Sequence, residues 1–121
     1  MSRRILVIED QEDNRRILRD LLTSAGYEII EAVTGEEGVT SAETQRPDLI
    51  LMDIQLPGLD GYEATRRIKA NPALRGIPII AVTSYALSGD DVKAFQAGCD
   101  AYVTKPFSPR QLLAKIREYL P

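Results

Sequence analysis

Four short apolar runs of this chain end in residues that can bind ions or react. Arg4-Ile5-Leu6-Val7-Ile8 leads into Glu9-Asp10, Asp48-Leu49-Ile50-Leu51-Met52 into Asp53, and Ile77-Pro78-Ile79-Ile80-Ala81-Val82 into Thr83-Ser84. A weaker run over 99–104 is followed by Lys105-Pro106. Taken singly, an acid at a strand end is more often a solvated loop residue or a helix N-cap. Thr83 alone reads as a β-branched strand residue, and Lys105 alone as a surface lysine before a turn. As a group they read differently. If the first and third runs are neighbouring strands, the carboxylates of Glu9, Asp10 and Asp53 converge. Two like charges 4 Å apart repel by roughly 4 kcal/mol at an effective dielectric near 20, so three acids together call for a cation. An all-oxygen donor set without His or Cys selects a hard ion, and Mg²⁺ fits a shallow site that accepts a phosphate as co-ligand. The Thr83 hydroxyl and the Lys105 ammonium are suited to hold phosphoryl oxygens. A carboxylate at the centre of such a site can itself be the nucleophile that accepts the phosphoryl group.

Other chemistries are excluded or disfavoured. The chain has no histidine, which removes His-based triads, HExxH metal sites and His general bases. Neither GxGxxG nor GxxxxGK[ST] occurs, so dinucleotide and P-loop binding are disfavoured. The loop Glu9-Asp10-Gln11-Glu12-Asp13 repels a phosphate unless a metal intervenes. A phosphatase with an aspartyl nucleophile wants a second acid two positions on, where this chain has Gln55.

The elements that must position these residues follow from patterning. The runs at 4–9, 48–53 and 77–83, with weaker ones at 27–32 and 99–104, are continuously apolar, as parallel strands covered on both faces should be. Between them lie amphipathic stretches. Ile17, Leu18, Leu21, Leu22 and Ala25 form a stripe closed by Gly26. Thr34-x-x-Glu37 and Ser108-x-x-Gln111 have capping-box spacing, with Pro109 at the first helical position. Asp60 and Ser88 are expected N-caps, with Glu63 and Asp91 three residues on, and Gly98 an expected C-terminal stop. The pattern is (βα)₅, a doubly wound α/β parallel sheet built by right-handed crossovers, with its crevice at the carboxyl ends of the strands.

With 121 residues, the chain is expected to form one domain, 1–121. A net charge of −3 argues against nucleic-acid binding. The pairs Arg3-Arg4, Arg15-Arg16 and Arg66-Arg67 read as solvated faces. One cysteine, Cys99, reads as a buried residue opening the fifth strand and points to a reducing cytoplasm. No apolar run is long enough for a membrane span or a signal peptide.

These residues carry a resemblance that covers essentially the whole chain. Glu9-Asp10, Asp48 to Gly58 with Asp53 at its centre, Asp60-Gly61, Thr83, and Tyr102-Val103-Thr104-Lys105-Pro106-Phe107 resemble the receiver domain of two-component response regulators. Thr83 and Lys105 stand 30 and 52 positions beyond Asp53, at the family's spacing. Leu49 to Pro57 and Gly98 to Tyr102 look closest to the DivK-type single-domain receivers. The resemblance implies a flavodoxin-like sheet of order 2-1-3-4-5. It implies that Asp53 is the phosphoacceptor, taking a phosphoryl group from the phosphohistidine of a sensor histidine kinase or histidine phosphotransfer protein. Glu9, Asp10, Asp53 and the Gln55 carbonyl would bind Mg²⁺, Thr83 and Lys105 would hold the phosphoryl oxygens, and Lys105-Pro106 would be a cis peptide.

In the same pattern Thr83 and Tyr102 form the switch, passing the added charge to a protein-binding surface. Gln55 and Tyr85 are placed to modulate water access. The expected activity is self-catalysed phosphorylation and dephosphorylation, not turnover of a substrate. Output is expected through a downstream protein target, with no nucleic acid or membrane partner, and the chain as a monomer or weak dimer. Leu18 or a neighbour on the first helix is expected to contact the phosphodonor. Two alternatives stay open: a phosphorylation-independent interaction module, and a receiver excised from a hybrid histidine kinase.

Overall fold

The computed structural model describes residues 2–83 and 90–121. In chain order the elements are β1 (Arg4–Ile8), α1 (Glu12–Ser24), β2 (Glu28–Ala32), α2 (Gly35–Gln45), β3 (Leu49–Asp53), α3 (Gly61–Ala70), β4 (Ile79–Thr83), α4 (Asp90–Ala97), β5 (Ala101–Thr104) and α5 (Pro109–Tyr119). The five strands form one sheet in the order β2-β1-β3-β4-β5, and every pairing is parallel. Cys99 is buried just before β5, not within it.

The continuous apolar runs have a simple cause: both faces of the central strands are covered. Leu6, Ile8, Ile50 and Met52 pack with Ala42 of α2, Ala64 and Ile68 of α3, and Ala94 of α4. The intervening Ile5, Val7, Leu49 and Leu51 pack with Leu18 and Leu22 of α1 and Leu112 and Ile116 of α5. Successive side chains of a strand point to opposite layers, and each layer is a helix pair or trio. Each large side chain so buried contributes roughly 1.5–3 kcal/mol.

Helix ends follow local chemistry. At α5 the capping box is complete: Gln111 N–H donates to Ser108 Oγ at 3.0 Å and Ser108 N–H to Gln111 Oε1 at 3.2 Å. At α2 only half of the expected box forms. Glu37 N–H donates to Thr34 Oγ1, but the Glu37 carboxylate accepts from Val33 N–H, one residue early. Asp60 caps α3 through Glu63 N–H at 2.9 Å. Gly26 ends α1 and Gly98 ends α4 in the left-handed region, at φ 96° and 116°. The expectations for Ser84, Tyr85 and Ser88 lie outside the described residues.

One expectation is narrowed and one corrected: of Leu18 or a neighbour the exposed residue is Ile17, and Arg15 is not a solvated face. Leu18 is buried, with only 4% of its surface exposed, because the Leu18/Leu22 stripe faces the sheet; its neighbour Ile17 is the exposed one, at 59%. Arg4 is half-buried and Arg15 mostly buried, while Arg3 and Arg16 beside them are exposed. The Arg4 guanidinium donates to the carbonyls of Gln45 and Arg46, and the Arg15 side chain is 11% exposed.

Candidate functional site

The register places the reactive residues at one level. Ile8 lies beside Met52 and Met52 beside Ala81, so Glu9, Asp53 and Val82-Thr83 emerge together at the carboxyl edge. Glu9 N–H adds one more rung to the sheet by donating to Ala32 O at 3.0 Å. Glu9, Asp53 and Thr83 are buried, and Asp10 is half-buried. One carboxylate oxygen from each of Glu9, Asp10 and Asp53 lies within 4.8 Å of the others.

Lys105 stands among these acids. Its Nζ donates to Glu9 Oε1 at 2.9 Å and lies 3.6 Å from Asp53 Oδ2, so the closer partner is Glu9. The lysine is aimed from its backbone, since Lys105 N–H donates to Thr83 O at 2.7 Å, and the Lys105-Pro106 peptide is cis. Asp53 Oδ1 accepts from Gln55 N–H at 3.1 Å, and Glu9 Oε2 from Gln11 N–H at 3.1 Å.

One ammonium does not balance this many acids, and the proton distribution shows it. Burial, then the hydrogen bond and charge of Glu9, push the Asp53 carboxyl up to about 7. Burial also raises Glu9, but hydrogen bonds from Lys105, Asp53 and Gln11 outweigh it and hold Glu9 below the usual carboxylate range. The two acids are thus driven apart, Asp53 toward its protonated form and Glu9 toward its charged form. A divalent ion in place of a proton would let both acids ionise, which is the fit that an all-oxygen metal site requires.

Thr83 Oγ1 accepts from Gln55 Nε2 at 2.9 Å, so the side chain two positions beyond Asp53 already occupies the hydroxyl. Tyr102 stands off from this cluster. It pairs with Ala81 in the sheet, and its half-buried ring meets the exposed Phe95 ring edge-on, centroids 6.4 Å apart at 70°. Gly61 begins α3 hard against the end of β3. Its N–H donates to Ile54 O at 3.1 Å, and a Cβ there would sit 2.7 Å from Ile54 Cα. A cavity of about 460 Å³ opens beside the acids, lined by Glu9, Asn14, Ile17, Leu18, Lys105, Pro106 and Phe107.

Sequence reasoning missed two parts of this arrangement. The Gln55 amide reaches Thr83 across two strands, and nothing in the sequence links positions 55 and 83. Arg15 donates to the backbone carbonyl of Glu9 at 3.0 Å; its only visible signal was its place one helical turn beyond an acidic loop.

Residues 5–117 match the family model of the response regulator receiver domain. The chain belongs to that family. This receiver domain is 44% identical to the polar-differentiation response regulator DivK of Brucella anthropi, over 99% of this chain and 98% of that one. It is 42% identical to the receiver domain of sensor histidine kinase PA1611 of Pseudomonas aeruginosa PAO1, which covers 99% of this chain and 98% of its own with a TM-score of 0.93. That crystal structure carries a magnesium ion coordinated in its active site cleft. A CheY-like receiver domain protein of Methanospirillum hungatei JF-1 is 38% identical, with 99% and 94% coverage and a TM-score of 0.90. The fold of the present receiver domain is thus the flavodoxin-like fold of two-component signalling, and its relatives are DivK-like. Among the described residues, no helix is long and apolar enough to cross a membrane.

Proposed function

We propose that this receiver domain is the phosphoacceptor of a two-component phosphorelay, with Asp53 as the accepting side chain. The observation that carries the proposal is the buried Asp53 carboxylate held among Glu9, Asp10 and Lys105, three acids facing one ammonium. In the proposed step an Asp53 carboxylate oxygen forms a bond to the phosphorus of a partner's phosphohistidine. The P–N bond breaks, and its electron pair returns to the imidazole. Glu9, Asp10, Asp53 and the Gln55 carbonyl would hold Mg²⁺, which when bound supplies positive charge against the acids and the incoming phosphoryl oxygens. Lys105 turns from Glu9 toward the phosphoryl group. Thr83 leaves the Gln55 amide to donate its own hydroxyl proton to a phosphoryl oxygen.

The change then passes through Thr83 and Tyr102 to the surface around Phe95, where a downstream protein reads it. The phosphodonor docks over the cavity beside Glu9 and Lys105, with Leu18's exposed neighbour Ile17 as the apolar contact. We further take residues 1–121 as one receiver module, acting in the cytoplasm and without enzymatic turnover beyond its own phosphorylation and dephosphorylation. The 42% identity to a receiver of a sensor histidine kinase supports a second placement, as the receiver of a hybrid kinase.

Incubation with acetyl phosphate and Mg²⁺, followed by intact-mass measurement, tests the proposal. One phosphoryl group should add to the wild-type chain, and none with EDTA or in Asp53→Asn. A wild-type chain that takes no label would instead be a phosphorylation-independent interaction module. Phosphotransfer profiling against purified histidine kinases then separates the two placements.

A further inference from the structure

Arg15 is a charged side chain kept from water, and such an arginine needs partners on every side. Its Nη1 donates to the Glu9 backbone carbonyl at 3.0 Å, its Nη2 to Glu12 Oε2 at 3.3 Å, and its Nε lies 3.4 Å from Glu31 Oε1. Glu31 is itself held from outside: Arg19 donates to both of its oxygens, at 2.7 and 2.8 Å. The Arg19 guanidinium keeps the Glu31 carboxyl below its ordinary range.

The carbonyl that Arg15 grips belongs to the peptide joining Glu9 to Asp10. That peptide's orientation sets the direction in which Asp10 leaves the strand relative to Glu9. The preceding N–H of Glu9 is fixed by Ala32 O, so β2 holds one side of Glu9 directly and the other through Glu31 and Arg15. We infer that Arg15 is a positioning residue for the metal-binding acids, aiming Glu9 and Asp10 through the Glu9 carbonyl without touching either carboxylate. A lysine could reach the carbonyl or Glu31, but its single nitrogen lacks the fork that spans both.

The inference rests on the Mg²⁺ site proposed above, and the sign of one measurement separates it from simple electrostatics. Removing a cation near an acidic cluster should by charge alone tighten Mg²⁺ binding. Removing a positioning residue should weaken it, as loss of an outer-shell partner of a metal ligand does by about 10-fold or more. Calorimetric titration of the full chain with MgCl₂ alone reads this directly. Arg15→Ala should raise the Kd about 10-fold, Arg15→Lys should recover part of that loss, and Glu31→Gln should raise it about 3-fold. Arg16→Ala removes the same charge from the adjacent position, where the side chain is 61% exposed and pairs with Asp13; its Kd should be unchanged or lower. The acetyl phosphate labelling rate of Arg15→Ala at saturating Mg²⁺ should stay within about 2-fold of wild type, with the loss confined to half-saturation.

A Kd for Arg15→Ala equal to or tighter than wild type overturns the inference while leaving the proposed function standing. Wild-type protein that takes up no Mg²⁺ overturns both. If circular dichroism shows Arg15→Ala unfolded, Glu31→Gln decides, and an unchanged Kd in that variant overturns the inference.

Discussion

At the amino-terminal edge of the sheet, Lys69 Nζ donates to the carbonyls of Arg75 and Ile77 and to Asp100 Oδ2, at 2.9–3.1 Å. Asp100 in turn accepts from Ile79 N–H at 2.8 Å. At the carboxyl-terminal edge, Lys105 Nζ meets Glu9 and Asp53 with Asp10 beside them. Both edges are built on a lysine facing acid from a distant part of the chain. At the first, one charge meets one charge, and the spare hydrogens of the ammonium go to neutral carbonyls. At the second, one cation faces three carboxylates, and burial followed by the neighbouring Glu9 pushes the Asp53 carboxyl up to about 7. The first arrangement is complete and joins the α3–β4 loop to the start of β5. The second leaves three acids facing one cation, the imbalance on which the proposed metal and phosphoryl chemistry rests.

The sharpest way to break this contrast is Asp53→Asn. The substitution should abolish acetyl phosphate labelling, by more than about 100-fold in rate, if a carboxylate at 53 is the nucleophile. Residual labelling on another acid, mapped by peptide mass spectrometry, would show that the crowded edge has a second acceptor. The next effect is on stability and has a definite sign. The ordinary aspartate value is near 3.8, and the folded chain raises Asp53 to about 7. Its contribution is therefore fully present below about pH 4 and lost as pH rises through 7. Glu9, lowered on folding, acts oppositely and loses its contribution on acidification below the usual carboxylate range. In EDTA, Asp53→Asn should thus gain stability over wild type between pH 5 and pH 8, by about 2–3 kcal/mol in denaturant melts. Mg²⁺ should close that gap by stabilising only the wild type. A gap that does not widen with pH would mean that the acids are already balanced.

The opposite edge should respond in stability alone. Lys69→Met removes three hydrogen bonds and should cost about 1–2 kcal/mol with no change in Mg²⁺ affinity. A shift in metal binding there would mean that the two ends are coupled through the strands. The smallest effect is expected at Arg66→Ala, which breaks an exposed pair with Glu63 at 3.1 Å. Its thermal melt should lie within about 0.5 kcal/mol of wild type, setting the scale of a pair that belongs to neither edge.

The two edges also differ in how far they could be read from the residues. Strand ends are set by where an apolar run stops, so Glu9, Asp53, Thr83 and Lys105 could be placed on one rim before any coordinates. Their partners could not. Whether Lys105 sits nearer Glu9 or Asp53 depends on side-chain torsions, and the Gln55 amide reaching Thr83 depends on loop geometry after β3. That Ile17 rather than Leu18 is the exposed residue has a comparably local origin. Neighbouring residues on a helix point about 100° apart, and a five-residue apolar stripe defines its centre only to within that angle. The Arg15–Glu31 contact crosses from helix to strand over 16 positions, a separation at which no local pattern operates.

The close seat of Gly61 against Ile54 has a genetic consequence. Every other amino acid brings a Cβ into backbone atoms of the segment that carries Asp53, and backbone cannot swing aside as a long side chain can. A saturation scan scored on signalling would therefore find position 61 as intolerant as position 53, although residue 61 has no side chain to offer the reaction. Loss-of-signal alleles should recur there, and suppressors should arise in the loop between Ile54 and Asp60 rather than at the acids.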